Sequence, residues 1–462
     1  MKTGAQYRES LRDGRRLFLD GREVSDLEAE PLLAAGVAEV AAGYDRYHRP
    51  EPDAVGPWFA FPTSPEDLRT QLHELLTWDM TTVTTAQGLQ ALLTAAARMR
   101  ADHPEYAARI EAYYEWCKRE DVRGVQAITD AKGHRKLPPS QQDDPDLYTR
   151  IVERRPDGIV IRGAKLHITA AATSHELVVM PTKRMRPGEE DWAVACAVPA
   201  NAPGVTIINT TYAPRGAATG EDERYWPHSS RHNMPEGFIV FDDVFVPDER
   251  VFLAGETAHS ATFAHALGLW ERLGGTAHLA EIGDILAGFA QLIAEANGLE
   301  RVSHVREKIS EMIMYATLVR AGLEAAISNA EKSPEGWMFP AELYTNAAKH
   351  FGAAEFSRMV RHLHDIGGGA ILTAPGPGDL EGAETGDYVR KYMRTMEGVD
   401  AEYRMRLFHA IRDYTADTFG GWQHVTMLQS GGGLYAQRMV SAKHYDMAAA
   451  KRMALRIAGL EP

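Results

Sequence analysis

Pro156-Asp157-Gly158-Ile159-Val160-Ile161-Arg162-Gly163-Ala164-Lys165-Leu166-His167-Ile168-Thr169 is the stretch that decides how the chain is organised. Apolar and polar residues alternate at Ile159, Ile161, Leu166 and Ile168, with Gly163-Ala164 between them. This period of two predicts a hairpin in a half-buried sheet, turning at the Gly-Ala pair. His167 and Thr169 are two apart, so on a strand they face the same side, and Thr173-Ser174-His175-Glu176 leads into a second strand, Leu177-Val178-Val179-Met180. The expectation is a platform with polar groups converging at one end.

Working outward, residues 150 to 255 continue in short alternating runs broken by Gly, Pro and Asn, among them Trp192 to Val198, Val205 to Ile208 and Phe238 to Phe241. Such spacing predicts a compact antiparallel barrel or sandwich. Before it, Gly turns around Leu17-Phe18-Leu19 predict a small hairpin, and helical spacing runs from Glu28 to Tyr47 and from Pro65 to Arg100. Ser64 is an N-cap signal there, with Pro65 at the first helical position and Glu66 and Asp67 in the first turn. After it, Ile282, Ile285, Leu286, Phe289, Leu292 and Ile293 form a helical stripe, and similar stripes recur to residue 459. The fold class expected is α+β in three parts: a mostly helical domain over 1–150, a middle β-barrel over 151–262 and a helical bundle over 263–462. No G-x-G-x-x-G follows a strand, which argues against a Rossmann domain.

The 462 residues are 44% hydrophobic and 25% charged, an ordinary globular composition, and the net charge is -14 without any basic block. That balance disfavours nucleic acid and anionic membranes as partners and favours small ligands. A polar, charged N-terminus and the lack of a window with roughly 18 apolar residues predict a cytoplasmic protein. Cys117 and Cys196 are too few for a disulfide framework or a four-cysteine cluster and read as buried thiols.

At Arg162-Gly163-Ala164-Lys165-Leu166-His167-Ile168-Thr169 the chain resembles the G-x-K-x-x-I-T strand of the acyl-CoA dehydrogenase fold. More narrowly, it resembles the 4-hydroxyphenylacetate 3-hydroxylase and 4-hydroxybutyryl-CoA dehydratase superfamily over nearly its whole length. The matching segments are Ser10 to Val24, Ala127 to Arg135, Ser140-Gln141-Gln142, Asp157 to Thr169, Val240 to Pro247, Asp365 to Gly369 and Phe419-Gly420-Gly421. The resemblance implies an acyl-CoA dehydrogenase-like architecture, a bound flavin and a homo-oligomer, a dimer of dimers in which a neighbouring subunit helps complete the flavin site.

The chain departs from both branches. The dehydratases hold an iron–sulfur cluster, which needs clustered thiolates. The segment matching their first ligand pair, Trp78 to Leu89, has no Cys; their second pair falls on Glu271 and His278, and a C-terminal carboxylate on Thr426. No iron–sulfur cluster or other metal is therefore expected. The hydroxylase residues that grip a phenol have no counterpart in Thr81-Thr82-Val83-Thr84-Thr85-Ala86-Gln87, and their site His falls on Gln126, whose amide can hydrogen-bond but not titrate.

The candidate catalytic residues are thus Gln126, Glu271, His278 and His167. Glu271 and His278 are seven apart and share a helix face unless Gly274-Gly275 breaks the helix; they read either as an acid/base pair or as hydrogen-bonded polars at a domain joint. The candidate cofactor-binding residues are Thr169, Lys132, Arg135, Gly367, Gly368, Gly369 and Gly432. Thr169 is a hydroxyl for the flavin edge by resemblance, Lys132 and Arg135 are cations suited to a pyrophosphate or a solvated face, and the glycines admit close backbone approach. Glu236 matches a dehydratase carboxylate. The function expected is a two-component monooxygenase that takes reduced FAD from a separate flavin reductase and uses O2 to oxidise a small molecule other than a simple phenol. The alternatives are an O2-independent flavin enzyme on an acyl-CoA or acyl-carrier substrate and a flavin-free binding homologue.

Overall fold

The computed structural model describes residues 1–211, 223–232 and 234–460. The N-terminal segment folds into α1 (Gly4–Ser10), a hairpin of β1 (Leu17–Leu19) and β2 (Arg22–Glu23), and helices α2 (Pro31–Tyr47), α3 (Pro65–Leu75), α4 (Met80–Met99) and α5 (Pro104–Glu120). Ser64 caps α3 through the Asp67 N–H, with Pro65 at the first position, as its sequence signature implies. Arg123 is fully buried here, its guanidinium 3.9 Å from the ring centroids of both Tyr44 and Trp58.

The strands that follow are β3 (Gly124–Ala127), β4 (Arg150–Arg155), β5 (Gly158–Thr169), β6 (Glu176–Val179), β7 (Val194–Pro199), β8 (Val205–Thr210), β9 (Glu236–Pro247) and β10 (Val251–Ala254). They do not close into the expected barrel. They form a six-stranded sheet in the order β2-β1-β8-β9-β5-β4 and a four-stranded sheet in the order β10-β7-β6-β3. Strands from outside the 150–255 run take part: β1 pairs parallel with β8 and brings β2 with it, and β3 pairs parallel with β6, so three short strands from the N-terminal segment join the sheets. At two to four residues they are too short for their pairing to show in a periodic pattern.

The opening stretch is also not a hairpin turning at Gly163-Ala164. Residues 158–169 form one strand that pairs with β9 from Gly158↔Pro247 to Thr169↔Glu236, and the turn lies upstream, between β4 and β5. Gly163, at φ 131°, is a bulge that shifts the register by one residue. A side chain there would strike the Thr149 backbone, with Cβ 2.7 Å from its Cα. A second shift falls between Lys165 and Ile168, where His167 takes φ 58°, so simple alternation does not carry through to the strand end.

The bundle comprises α6 (Ser260–Ala296), α7 (Ser303–Ser328), α8 (Glu342–Gly367), α9 (Ala401–Thr415), α10 (Thr418–Gln429), α11 (Gly433–His444) and α12 (Met447–Ile457), with short helices between Ala370 and Met393. At 37 residues α6 is unbroken by Gly274-Gly275. It is long and apolar enough to cross a membrane, contrary to the expectation that no segment is, yet half of its most apolar window is buried by packing against α4, α7 and α8. Its residues from Phe263 to Ala277 belong to one buried cluster, shared with the sheets and N-terminal helices, and those from Leu279 to Ala296 to a second, within the bundle. His278 lies between them, where the helix passes from one core to the other.

Candidate active site

The end of β5 meets the bundle through Glu236, the first residue of β9. Thr169 Oγ1 donates to the Glu236 carboxylate, 3.0 Å from each oxygen, and Trp422 Nε1 on α10 donates to Oε1 at 2.8 Å. Burial raises the Glu236 pKa above the usual carboxylate range, opposed by these two donors. Upstream of Glu236, residues 225–229 are tied to α9. Asp413 on α9 accepts from the His228 and Ser229 N–H groups at 2.8 and 2.9 Å and from Ser229 Oγ at 2.6 Å, while Arg412 lies 3.7 Å above the Tyr225 ring. Thr169, expected to offer its hydroxyl to a ligand, therefore spends it on the Glu236 carboxylate.

A second polar group gathers on α6. Glu271 Oε2 accepts the Gly431 N–H at 2.9 Å, and the neighbouring Arg272 donates from Nε to the Gly431 carbonyl at 2.7 Å and from Nη1 to Asn346 Oδ1 at 2.9 Å. The N–H and the carbonyl of one residue, Gly431, are thus gripped by adjacent charged residues. Gly431, Gly432 and Gly433 all have positive φ (71°, 97° and 67°), which three consecutive side-chain-bearing residues would not adopt. Lys349 on α8 is fully buried, donates from Nζ to the Met427 carbonyl and is lowered to about 8 by burial. Trp422 and Met427 are both on α10, five residues or about 7.5 Å of rise apart, so this helix joins the two polar groups.

The glycines of α6 serve these approaches. A Cβ on Gly275 would sit 2.8 Å from Lys349 Cε, and one on Gly274 would collide with the Gln87 amide of α4. The Gly274-Gly275 pair therefore admits two polar side chains to the helix surface. His278 Nδ1 lies 3.1 Å from the Gly274 carbonyl, which assigns the proton to Nδ1 and leaves Nε2 an acceptor. Burial lowers its pKa and raises that of Glu271. At neutral pH the imidazole is uncharged, a state suited to accepting a proton.

The remaining candidates are more dispersed. Gln126 is buried on β3 and donates its amide to the Thr84 carbonyl of α4, against Gly88. His167 is exposed on its left-handed backbone. Lys132 and Arg135 lie on the loop between β3 and β4; Lys132 is half-buried and lowered by burial and by Arg135, and Arg135 is exposed. That loop is pinned by Lys165, the motif lysine, whose Nζ is 2.7 Å from Asp130 Oδ1. Gly367 is buried at the end of α8, and Gly368 and Gly369 are exposed. Cys117 and Cys196 are buried, and among the described residues no group of three or more His, Cys, Asp or Glu is arranged to hold a metal.

Lys349, Arg272, Asn346 and Trp422 were not singled out from the sequence. Lys349 had a legible signal: it is a lysine on the apolar stripe of α8 with Thr345, Gly352 and Phe356. Trp422 had none, because its partner is 186 residues away.

The polar groups at the ends of β5 and β9 and on α6 are thus both tied to α10 or the glycine turn that follows it, two carboxylates and a neutral histidine among them. The chain belongs to the 4-hydroxyphenylacetate 3-hydroxylase family, whose N-terminal model matches residues 3–253 and whose C-terminal model matches residues 260–459. It is 28% identical to the 4-hydroxyphenylacetate 3-monooxygenase oxygenase component of Thermus thermophilus, over 92% of this chain and 90% of that one. Among solved structures, it is similar to an oxygen-tolerant archaeal 4-hydroxybutyryl-CoA dehydratase from N. maritimus, with a TM-score of 0.90 and 28% identity over 100% of this chain and 95% of that one. It is also similar to the oxygenase component of 4-hydroxyphenylacetate 3-monooxygenase complexed with FAD, with a TM-score of 0.88 and 26% identity over 99% of both chains.

Proposed function

We propose that the protein is the oxygenase component of a two-component flavin-dependent monooxygenase that receives reduced FAD from a separate reductase and oxidises a small organic molecule. The observation that carries this reading is the pairing of full-length family membership with helix α10, which bonds to the Thr169–Glu236 group through Trp422 and runs into the Gly431–Gly433 turn. The turn lacks side chains and borders the half-buried Glu271, which fits close approach by a flat ring. Thr169 and Gly432 would hold the flavin there, Lys132 and Arg135 its pyrophosphate, and Gly367, Gly368 and Gly369 would admit backbone contact across subunits. Reduced FAD, when bound, supplies two electrons to O2, of which one oxygen atom enters the substrate and the other leaves as water. The chain's own contribution is orientation and exclusion of water between the two cores, with His278 Nε2 as proton acceptor, the Glu236 carboxyl as proton carrier, and Gln126 and His167 as hydrogen-bonding groups at the margins.

The test is anaerobic titration with reduced FAD followed by O2. Tight binding, O2 consumption and incorporation of labelled oxygen into product are expected. Reduction of bound oxidised FAD by an acyl-CoA would instead establish an O2-independent enzyme, the second reading, which the likeness to the dehydratase and the position of Glu236 favour. The three-part division at 150 and 262, a cytoplasmic location and a homotetramer belong to the same proposal. Support for assembly comes from α12, which has no buried residue, leaves Ile457 89% and Met453 66% exposed, and carries Lys451, Arg452 and Arg456 on a chain of net charge -14. Light scattering of the whole chain and of a chain ending at residue 445 checks it, the shorter one being expected to dissociate.

A further inference from the structure

We propose that Lys349 is a positioning residue of the glycine turn: it fixes the C-terminal end of α10 and, with Glu271 and Arg272, holds the turn Gly431–Gly433 in the arrangement that a flat cofactor approaches. This rests on the reading of the turn and its surroundings as an FAD site. The geometry is a clamp with three jaws. Lys349 holds the Met427 carbonyl, Arg272 the Gly431 carbonyl and Glu271 the Gly431 N–H, so the four residues before Gly431 are tied at both ends. Asn346, one helical turn before Lys349, anchors Arg272 and is itself held by donating to the Glu342 carbonyl at 2.7 Å. Gly275 is the concession that lets the lysine in. Among the described residues, Glu271, Arg272 and His278 on α6 are the charged or titratable groups that interact with Lys349. Glu271 favours the ammonium, and burial and Arg272 oppose it, so its charge is lost near pH 8 rather than above 10.

The experiment uses the full chain, with Lys349→Met and Lys349→Gln, the latter retaining a neutral donor. Amide hydrogen exchange of residues 427–433, corrected for the intrinsic rate, is followed without FAD from pH 6 to 9.5, and FAD affinity is measured over the same range by fluorescence. In the wild type, protection and affinity are expected to hold below pH 8 and to fall about fivefold above it, as a charge-assisted hydrogen bond becomes a neutral one. Both variants are expected to be flat with pH, with FAD affinity about tenfold weaker at pH 7, the scale of one lost charged hydrogen bond. Wild-type protection in Lys349→Met, or a fall above pH 8 that persists in Lys349→Gln, overturns the proposal; should the Met variant not fold, the Gln variant decides. A wild type that binds no FAD sinks the flavin reading, while the exchange profile still decides the clamp.

Discussion

Two lysines are buried in this protein, and their surroundings differ in kind. Lys165, in the sheet, is 2% exposed and meets three acceptors: Asp130 at 2.7 Å and the carbonyls of Ile128 and Met180 at 3.0 and 2.8 Å. That saturates an ammonium. Lys349, in the bundle, is fully buried, yet among the described residues its hydrogen bond goes to one carbonyl and its nearest charges are one carboxylate and one guanidinium without a direct ion pair. A fully satisfied lysine explains itself structurally, by joining the loop after β3 to β5. An incompletely satisfied one, admitted by a glycine in the facing helix, sets the geometry of a neighbouring element. The lysine in the recognisable motif is thus the structural one.

The largest effect expected from this contrast is on stability. Lys165→Met leaves the Asp130 carboxylate buried without its cation, although Thr149 N–H and Thr182 Oγ1 still donate to it. Breaking a buried pair on one side costs about 3–5 kcal/mol, to be read from urea unfolding. Lys349→Met removes a cation that has no direct ionic partner and should cost less than half as much. Equal losses in the two variants would collapse the comparison.

Much of the architecture was legible because it is periodic. The long helices announce themselves by stripes, and β5 and β9 by alternation, so the order helices, strands, helices follows from local pattern. The closed barrel and the Gly163-Ala164 turn failed where a bulge mimics a turn and where β1 and β3 reach the sheets from far away. At the site, Glu271 and His278 were marked by the resemblance, which puts the dehydratases' second ligand pair on them, and by a spacing of seven that suits one helix face. Their partners did not, because Gly431 is 160 residues from Glu271 and the contact leaves no trace in spacing. The Gly274-Gly275 pair was visible but pointed to a helix break, whereas its purpose is close packing on Gln87 and Lys349.

The next effect in size concerns the paired ends of β5 and β9. Thr169→Val removes a hydroxyl donated to the Glu236 carboxylate, at a cost of about 1.5–3 kcal/mol. Losing a donor to the charged form also moves the Glu236 pKa further up. A folded-state pKa above the unfolded value gives stability that is full below the unfolded pKa and lost as pH rises through the folded one. The variant should therefore lose stability as pH rises above the ordinary carboxylate range, over a wider window than the wild type, and Glu236→Gln should abolish that slope. A carboxylate titration by 13C NMR checks the direction, and an unchanged Glu236 pKa in Thr169→Val would detach Thr169 from the site.

Lys349 supplies the opposite slope. Its pKa is depressed in the folded state, so between about pH 8 and its ordinary 10.5 the unfolded chain binds more protons and stability rises with pH. The rise attributable to this residue should reach about 1–2 kcal/mol by pH 9.5 and be missing in Lys349→Met. Lys165 is lowered too, but its saturated contacts hold it in both variants, so the difference between wild type and Lys349→Met isolates the bundle lysine. Identical pH dependence in the two proteins would mean that Lys349 stays charged throughout and that the contrast with Lys165 is one of packing alone.

The smallest change in stability should come from Gly275→Ala, and it is the sharpest probe of why the glycine is there. In an open helix interior, alanine would stabilise by about 1 kcal/mol through helix propensity. Here its Cβ would stand 2.8 Å from Lys349 Cε, which is the flexible end of a side chain and can move at little strain. The displaced ammonium, however, leaves the Met427 carbonyl, and the loss of that hydrogen bond is of the same size as the propensity gain. Net stability at pH 7 should change by less than about 1 kcal/mol, while the rise above pH 8 shrinks and the amides of residues 427–433 exchange faster. A plain gain in stability with the pH slope and protection intact would show that Gly275 makes room for nothing that matters, and that the clamp closes without it.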